Sequence, residues 1–364
     1  MHIEELAELA AMHPEVEAAS KELGKGKGKH LLLSGLYASA RSMLLCAIQQ
    51  RTSRPMVVVM DNADEAQYMY SDLQTMHNAQ CTMHNECKVL FFPVSKRRRQ
   101  GVDEALAIQR TETLSQLAIN NEQLTINMQS GAKASQCTVI VTYPEAIMES
   151  VPAPQALEQN TLYLTTGQEI QVSRLGEQLG ELGFTRVDFV YEPGQYAVRG
   201  GIVDVYSYSH DDPFRLDFFG DEIDSIRTFD IETQLSKDKV RQIDIVGVTS
   251  GKEQGKDYTI ADYIGEDTIW ASNDFSLLFY KLGGQVGSTE LKESDLSEVL
   301  KKRLAETDTI EANEKSYFGN HSRLAFDTLP QPVFHKNFDL LTDDLRGKTA
   351  EGYRLYILAD QSVS

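Results

Sequence analysis

The chain has 364 residues, and at roughly 150 residues per domain it is expected to divide into two or three domains rather than fold around one core. Hydrophobic residues make up 41% and there are only 10 prolines, a composition that can bury enough apolar surface to offset chain entropy and that excludes a mainly disordered or collagen-like protein. With 35 basic against 54 acidic residues the formal net charge is −19, which excludes general coating of nucleic acid and leaves any DNA contact to a local basic patch.

Residues 3 to 22 read as an exposed acidic helix, and the alternating Gly/Lys run from Gly24 to Lys29 reads as a solvated spacer. Then follow apolar strands at 30–34, 56–60, 89–92 and 138–142, separated by helices at about 39–50, 63–76 and 102–119. Continuous apolar strands alternating with helices imply a parallel sheet covered on both faces. The Asn/Gln-rich stretch 119–131 does not fit that sheet and reads as a loop insertion. After Pro152-Ala-Pro154 a helix carries Val172, Leu175, Leu179 and Leu182 on one stripe and ends at Gly183. Short strands at 185–191, 196–198, 202–206, 214–219 and 223–229, separated by turn sequences, then predict an antiparallel meander in a second, smaller α+β domain.

From 240 a mixed pattern returns, with a strand near 267–270, a charged helix at about 290–304 and an irregular acidic segment to about 335. A last helix and a strand at 353–358 are expected to open a further domain. No apolar run approaches the roughly 20 residues of a bilayer span, and the N-terminus lacks the basic start and apolar stretch of a signal peptide. Four cysteines (Cys46, Cys81, Cys87 and Cys137) without a small secreted framework predict free thiols in a reducing compartment, so a cytoplasmic location without membrane contact is expected.

Three motifs carry possible chemistry. The first strand runs into Gly35-Leu-Tyr-Ala-Ser-Ala-Arg-Ser42, which occupies the frame of a phosphate-binding loop but has Ala40 for the second glycine and Arg41 for the lysine. The glycine lets backbone N–H groups wrap phosphate and the lysine is a compact charge on it, so a relic of a nucleotide site and an ordinary strand–loop–helix junction both fit. Met56 to Asp61 mimics a magnesium-binding strand, although its place as second strand favours plain sheet core. His77, Cys81, His84 and Cys87 are four zinc-ligand types, but they lie in a near-duplication (Thr75 to Cys81, then Thr82 to Cys87) that a slipped repeat in a surface loop explains, and no metal is expected. The basic clusters Lys96 to Arg99 and Lys25 to Lys29 read as solvated loops, with a nucleic-acid clamp as the rival reading.

The longest motif runs from Tyr191 to Tyr206 (Tyr-Glu-Pro-Gly-Gln-Tyr-Ala-Val-Arg-Gly-Gly-Ile-Val-Asp-Val-Tyr), and a second block runs from Phe214 to Arg227. Together they resemble the domain shared by the excision-repair helicase UvrB and the N-terminal UvrB-homology module of bacterial transcription-repair coupling factor (Mfd). The resemblance implies an α/β fold: a degenerate RecA-like, P-loop NTPase-type lobe over 1–155 and 241–325, interrupted at 156–240 by a small UvrA-binding α+β domain with an antiparallel sheet. Residues 326–364 would be a linker and the start of the next domain.

The stretch from Ile260 to Asp274 resembles the UvrB segment that ends in its Walker B Asp-Glu, but Asn273 and Asp274 stand in that place. Asn273 is neutral and cannot supply the carboxylate that holds magnesium and water. No tyrosine occurs between Pro93 and Thr142, so the tyrosine-rich DNA hairpin of UvrB is missing. That combination fits the coupling-factor module, whose ATP-dependent DNA translocase motor lies elsewhere in the full-length parent. The resemblance implies that no residue here is catalytic and that no cofactor binds here, ATP and Mg belonging to that motor. It also implies that the module recruits UvrA to a stalled transcription complex, while DNA and RNA polymerase meet other domains.

Arg199 matches an arginine used at the UvrA surface in this family, and the position two residues earlier, also arginine in UvrB, is Ala197 here. Gly200 and Gly201 are expected to expose Arg199, while Arg186 and Arg215 on neighbouring strands would extend the basic edge; Arg215 is the more open to pairing within its own sheet with Asp204, Asp217 or Glu222. The alternative function is a UvrB-like DNA-dependent ATPase or helicase lobe with divergent nucleotide motifs.

Overall fold

The runs Leu31 to Leu33, Met56 to Val59, Val139 to Val141 and Ile269 to Ala271 are buried throughout, as strands covered on both faces must be. The computed structural model describes residues 3–24, 27–80, 87–95, 97–98, 101–102, 105–106, 108–118, 138–153, 161–208, 210, 212–247, 258–283, 293–330, 332–353 and 355. Its strands are β1 (His30–Ser34), β2 (Met56–Val59), β3 (Lys88–Phe91), β4 (Arg97–Arg98), β5 (Gly101–Val102), β6 (Thr138–Thr142), β7 (Thr161–Thr165), β8 (Thr185–Arg186) and β9 (Gln195–Arg199). They continue with β10 (Ile202–Val205), β11 (Phe214–Phe219), β12 (Glu222–Phe229), β13 (Ser236–Val240), β14 (Gln242–Val246), β15 (Ile269–Ser272), β16 (Thr309–Glu311) and β17 (Ser322–Ala325).

Seven of these form a sheet in the order β17-β1-β16-β15-β2-β6-β3, every pair parallel. The sheet draws strands from both sides of the small domain. The predicted strands and crossover helices at Ala40–Thr52 and Ala63–Gln80 are present. β16 and β17 fall in the segment read as irregular, because their sequences are polar: Glu311 on β16 is buried and accepts backbone N–H groups of Phe275 (3.0 Å) and Tyr317 (2.8 Å). A carboxylate that caps buried donors looks, in sequence, like a surface residue.

The N-terminal segment is two helices, Ile3–Ala11 and Pro14–Leu23, where one was expected. Pro14, lacking an N–H, starts the second helix, and His13 Nδ1 accepts the Glu15 N–H at 3.2 Å. Neither helix is simply exposed, since Ala7, Ala10, Val16, Ala19 and Leu23 are buried in the main core. The expected insertion at 119–131 and most of the expected strand at 353–358 lie outside the described residues.

In the small domain, helix Val172–Glu181 places Leu175 and Leu179 one turn apart on a six-stranded sheet, β13-β12-β11-β10-β9-β8. Tyr196, Val203, Val205, Phe214, Leu216, Ile223 and Ile226 form that sheet's apolar face. The antiparallel ribbon β7/β14 joins the same core through Leu164, Ile243 and Ile245, the last two lying beyond the expected boundary at 240. The meander is antiparallel from β9 to β13, but β8 runs parallel to β9. A parallel pair cannot be closed by a tight turn, so 187–194 crosses over, and Val187 and Val190 pack with Ala197, Tyr206 and Phe229. This crossover is why the strand predicted over 185–191 stops at Arg186.

Residues from 328 onward form a separate unit, whose helix Phe338–Ala350 is capped by Asn337 accepting the Leu340 N–H at 3.1 Å.

Candidate functional site

β9 and β10 are joined by Gly200 and Gly201, both exposed. Gly200 has φ +61°, a conformation that favours glycine, and a Cβ at Gly201 would come within 3.2 Å of the Phe218 carbonyl oxygen. The close approach is used: the Phe218 N–H donates to the Gly201 carbonyl at 2.7 Å. The turn is thereby held against the end of β11, where Phe219 is 82% exposed.

Strand register then gathers the charges on one face. Asp204 pairs with Ala197 on one side and Arg215 on the other, and Arg215 pairs in turn with Arg227. Asp204 is completely buried. Arg215 grips it bidentately, Nε donating to Oδ1 at 2.7 Å and Nη2 to Oδ2 at 2.9 Å, while its Nη1 donates to the Gln234 carbonyl at 3.1 Å. Its guanidinium carbon lies 4.6 Å from the Phe229 ring centre, and the hydrogen bond to Asp204 raises its pKa above the ordinary arginine value. Arg199 reaches the same carboxylate through Nη2, donates from Nη1 to the Asp188 carbonyl at 3.2 Å, and lies 4.8 Å from the Phe189 ring centre. A buried carboxylate needs such partners, and two guanidinium groups on one carboxylate give this cluster of three side chains a formal charge of +1. A second clasp, Arg227 with Asp217, lies beside the first and is reinforced by the Ser225 hydroxyl at 3.0 Å.

The glycines are expected to expose Arg199, with pairing inside the sheet favoured less for it than for Arg215; it is in fact ion-paired with Asp204, because the buried carboxylate draws both arginines. Its side chain nonetheless keeps 33% of its surface exposed, against 15% for Arg215, which is paired within its own sheet. Arg186 is exposed on the edge strand β8 and makes no ion pair among the described residues. Phe189, 50% exposed, lies against Arg199, and Tyr191, two residues further along the crossover, is 56% exposed; sequence reasoning assigns Phe189 no role, because 187–191 looks like one more strand.

The two segments that resemble nucleotide motifs also come together. Gly35 has φ +74°, and a Cβ there would lie 2.0 Å from the Phe326 carbonyl oxygen, so the chain after β17 packs directly on this loop. Ala40 begins the following helix. Arg41 Nη1 donates to Asn273 Oδ1 at 3.0 Å, and Asn273 Nδ2 reaches Glu65 at 3.4 Å. Ser42 is buried, its hydroxyl 2.8 Å from both the Ser39 carbonyl and Asp72. Asp274 caps helix Phe275–Gly283 by accepting the Ser276 and Leu277 N–H groups at 2.7 and 3.1 Å. The two segments meet: Arg41 is bound to Asn273, Ser42 to Asp72, and Asp274 to the start of a helix. At the end of β2, burial pushes the Asp61 carboxyl up from its ordinary value.

Of the four possible zinc ligands, His77 sits buried in the last turn of helix Ala63–Gln80 and not in a loop; burial pushes its pKa down to about 4. Cys87 is half-buried just before β3, and Cys81 and His84 lie outside the described residues. Among the described residues no group of three His, Cys, Asp or Glu side chains is placed to hold a metal. Arg97 and Arg98 form the short ribbon β4/β5, while Lys25, Lys96 and Arg99 lie outside the described residues. Among the described residues no helix is long and apolar enough to cross a membrane.

Residues 162–250 match the family model of the UvrB interaction domain. The chain is 28% identical over 220 residues to the transcription-repair-coupling factor of Bacillus subtilis, an alignment covering 60% of this chain and 17% of that protein. It is 26% identical over 219 residues to that of Escherichia coli, again 60% and 17%, and 41% identical over 100 residues to that of Haemophilus influenzae, covering 28% and 9%. The matched part of the chain thus spans about a sixth of the length of the Bacillus and Escherichia relatives and less of the Haemophilus one. It carries a UvrB interaction domain and is homologous, over the length they share, to the transcription-repair-coupling factors.

Proposed function

We propose that this chain is a protein-recruitment module of a transcription-coupled repair factor, and that the Arg199 face of its small domain docks UvrA, the damage-recognition ATPase of excision repair. The observation that carries the reading is the coincidence of the UvrB interaction domain match at 162–250 with a face that presents a partly exposed, net-positive arginine pair beside exposed aromatics. Arginine and aromatic side chains dominate binding energy at interfaces, and arginine pairs bidentately with carboxylates, so an acidic surface of UvrA is the fitting partner. The chain's own net charge of −19 makes a local positive patch the place where such a partner is accepted.

In this reading the α/β lobe is a scaffold that neither binds nor hydrolyses ATP, consistent with the engagement of Arg41, Ser42, Asn273 and Asp274 in the fold, and it carries no metal. Motor activity, DNA and RNA polymerase contacts belong to other parts of a longer protein. The test is titration of the 364-residue chain against immobilised UvrA. Specific, saturable binding that weakens as salt rises supports the reading; absence of binding at micromolar concentrations overturns it.

A further inference from the structure

We propose that Asp204 and Phe189 are positioning residues that fix the guanidinium of Arg199 for its partner, and that Arg215 serves to hold Asp204 rather than to contact the partner. The proposal rests on the docking reading above and assigns roles within that face.

The argument starts from the surplus of cations. Asp204 is wholly buried and is already satisfied by the bidentate fork of Arg215, so a one-to-one pair would be complete. A second arginine nevertheless reaches Oδ2. Of five guanidinium N–H donors, Arg215 has three engaged and is 15% exposed, which leaves it little to offer. Arg199 has two engaged among the described residues, one to Asp204 and one to the Asp188 carbonyl, and is 33% exposed. Its remaining three donors are available to an acidic group.

Those two hydrogen bonds act together with the ring of Phe189, 4.8 Å from the guanidinium carbon. The carboxylate holds one edge of the plane, the backbone of the crossover holds another, and the ring supports its face. A long, flexible side chain is thereby held in one geometry before any partner arrives. Immobilising such a side chain at the moment of binding would weaken affinity by about tenfold, and ordering it on folding removes that penalty. The crossover 187–194, which carries Asp188 and Phe189, exists because β8 and β9 are parallel, so the topology of the domain brings these supports to Arg199.

The test is a double-mutant cycle on the 364-residue chain, read as affinity for UvrA by calorimetry, with thermal melting of each variant. Arg199→Ala is expected to weaken binding at least about 30-fold, and Asp204→Asn and Phe189→Ala about tenfold each. In the Arg199→Ala background both are expected to change nothing further, because they act only through that guanidinium. Losses of the same size in that background would overturn the proposal, since Phe189 would then contact UvrA itself or the changes would act on the fold. Retention of wild-type affinity by the single variants, with Arg199→Ala weakened, would also overturn it while leaving the docking reading intact. Wild-type affinity of folded Arg199→Ala would instead refute the docking reading. Should Asp204→Asn fail to fold, Phe189→Ala decides alone, because Phe189 is half exposed and outside the core.

Discussion

A fragment of the small domain that stops at residue 240 is predicted not to fold, whereas one covering 161–247 is predicted to fold cooperatively. The difference is β14. Ile243, Ile245 and Val246 are 3%, 0% and 1% exposed, and complete burial of such side chains contributes about 1.5 to 3 kcal/mol each, so together about 5 to 9 kcal/mol. The cut also removes the ladder to β7, the Val246 N–H to Ser207 Oγ bond at 3.0 Å and the contact of Asp244 with His210 at 3.0 Å, leaving Leu164 uncovered on its own strand. A domain of this size holds on the order of 5 to 10 kcal/mol in all, so the loss matches the whole stability. Urea titration followed by far-ultraviolet circular dichroism should show a single sigmoidal transition for 161–247 and none for 161–240. A cooperative transition in the shorter fragment with a midpoint close to that of the longer would refute the assignment of β14 to this core.

Arg199→Glu sets a second carboxylate beside buried Asp204 and should lower stability by about 2 kcal/mol, whereas Arg199→Gln, which can still donate to Asp204, should stay within about 1 kcal/mol of wild type in urea melts. The chain should neither turn over ATP nor bind Mg-ATP tightly; micromolar binding by calorimetry would contradict the committed roles of Arg41 and Ser42. Burial holds His77 at a pKa of about 4 against an ordinary value of about 6.5, so the unfolded chain takes up the proton first and stability should fall as pH drops from about 6.5 towards 4. At about 1.4 kcal/mol per pH unit the full effect is about 3 to 4 kcal/mol, and urea midpoints of His77→Met should lack this part of the slope.

The parallel sheet was legible because its strands are short, continuous apolar runs, whereas Arg199 was singled out through the resemblance of the Tyr191–Tyr206 motif to the UvrB-type domain, with Gly200 and Gly201 marking only the turn beside it. What stayed hidden was set by distant partners. β16 disguises itself with Glu311, whose carboxylate is buried only because the Phe275 and Tyr317 N–H groups lie beside it. β14 follows a strand of exposed Lys and Asp, so nothing nearby announces that Ile243 and Ile245 return to the core. The parallel pairing of β8 with β9 depends on where the crossover lands, and with it the placing of Phe189 and Asp188 around Arg199. Sequence located the arginine; only the fold reveals that it shares a buried carboxylate with Arg215.

The most direct measurement is the affinity of Arg199→Gln for UvrA by surface plasmon resonance, with folding monitored in parallel. The account predicts saturable binding by the wild-type chain and a loss of at least about 30-fold in the variant, the size expected when a charged hot-spot contact is removed, with a melting transition close to wild type. Unchanged affinity in the folded variant, or no binding by the wild-type chain, would contradict it.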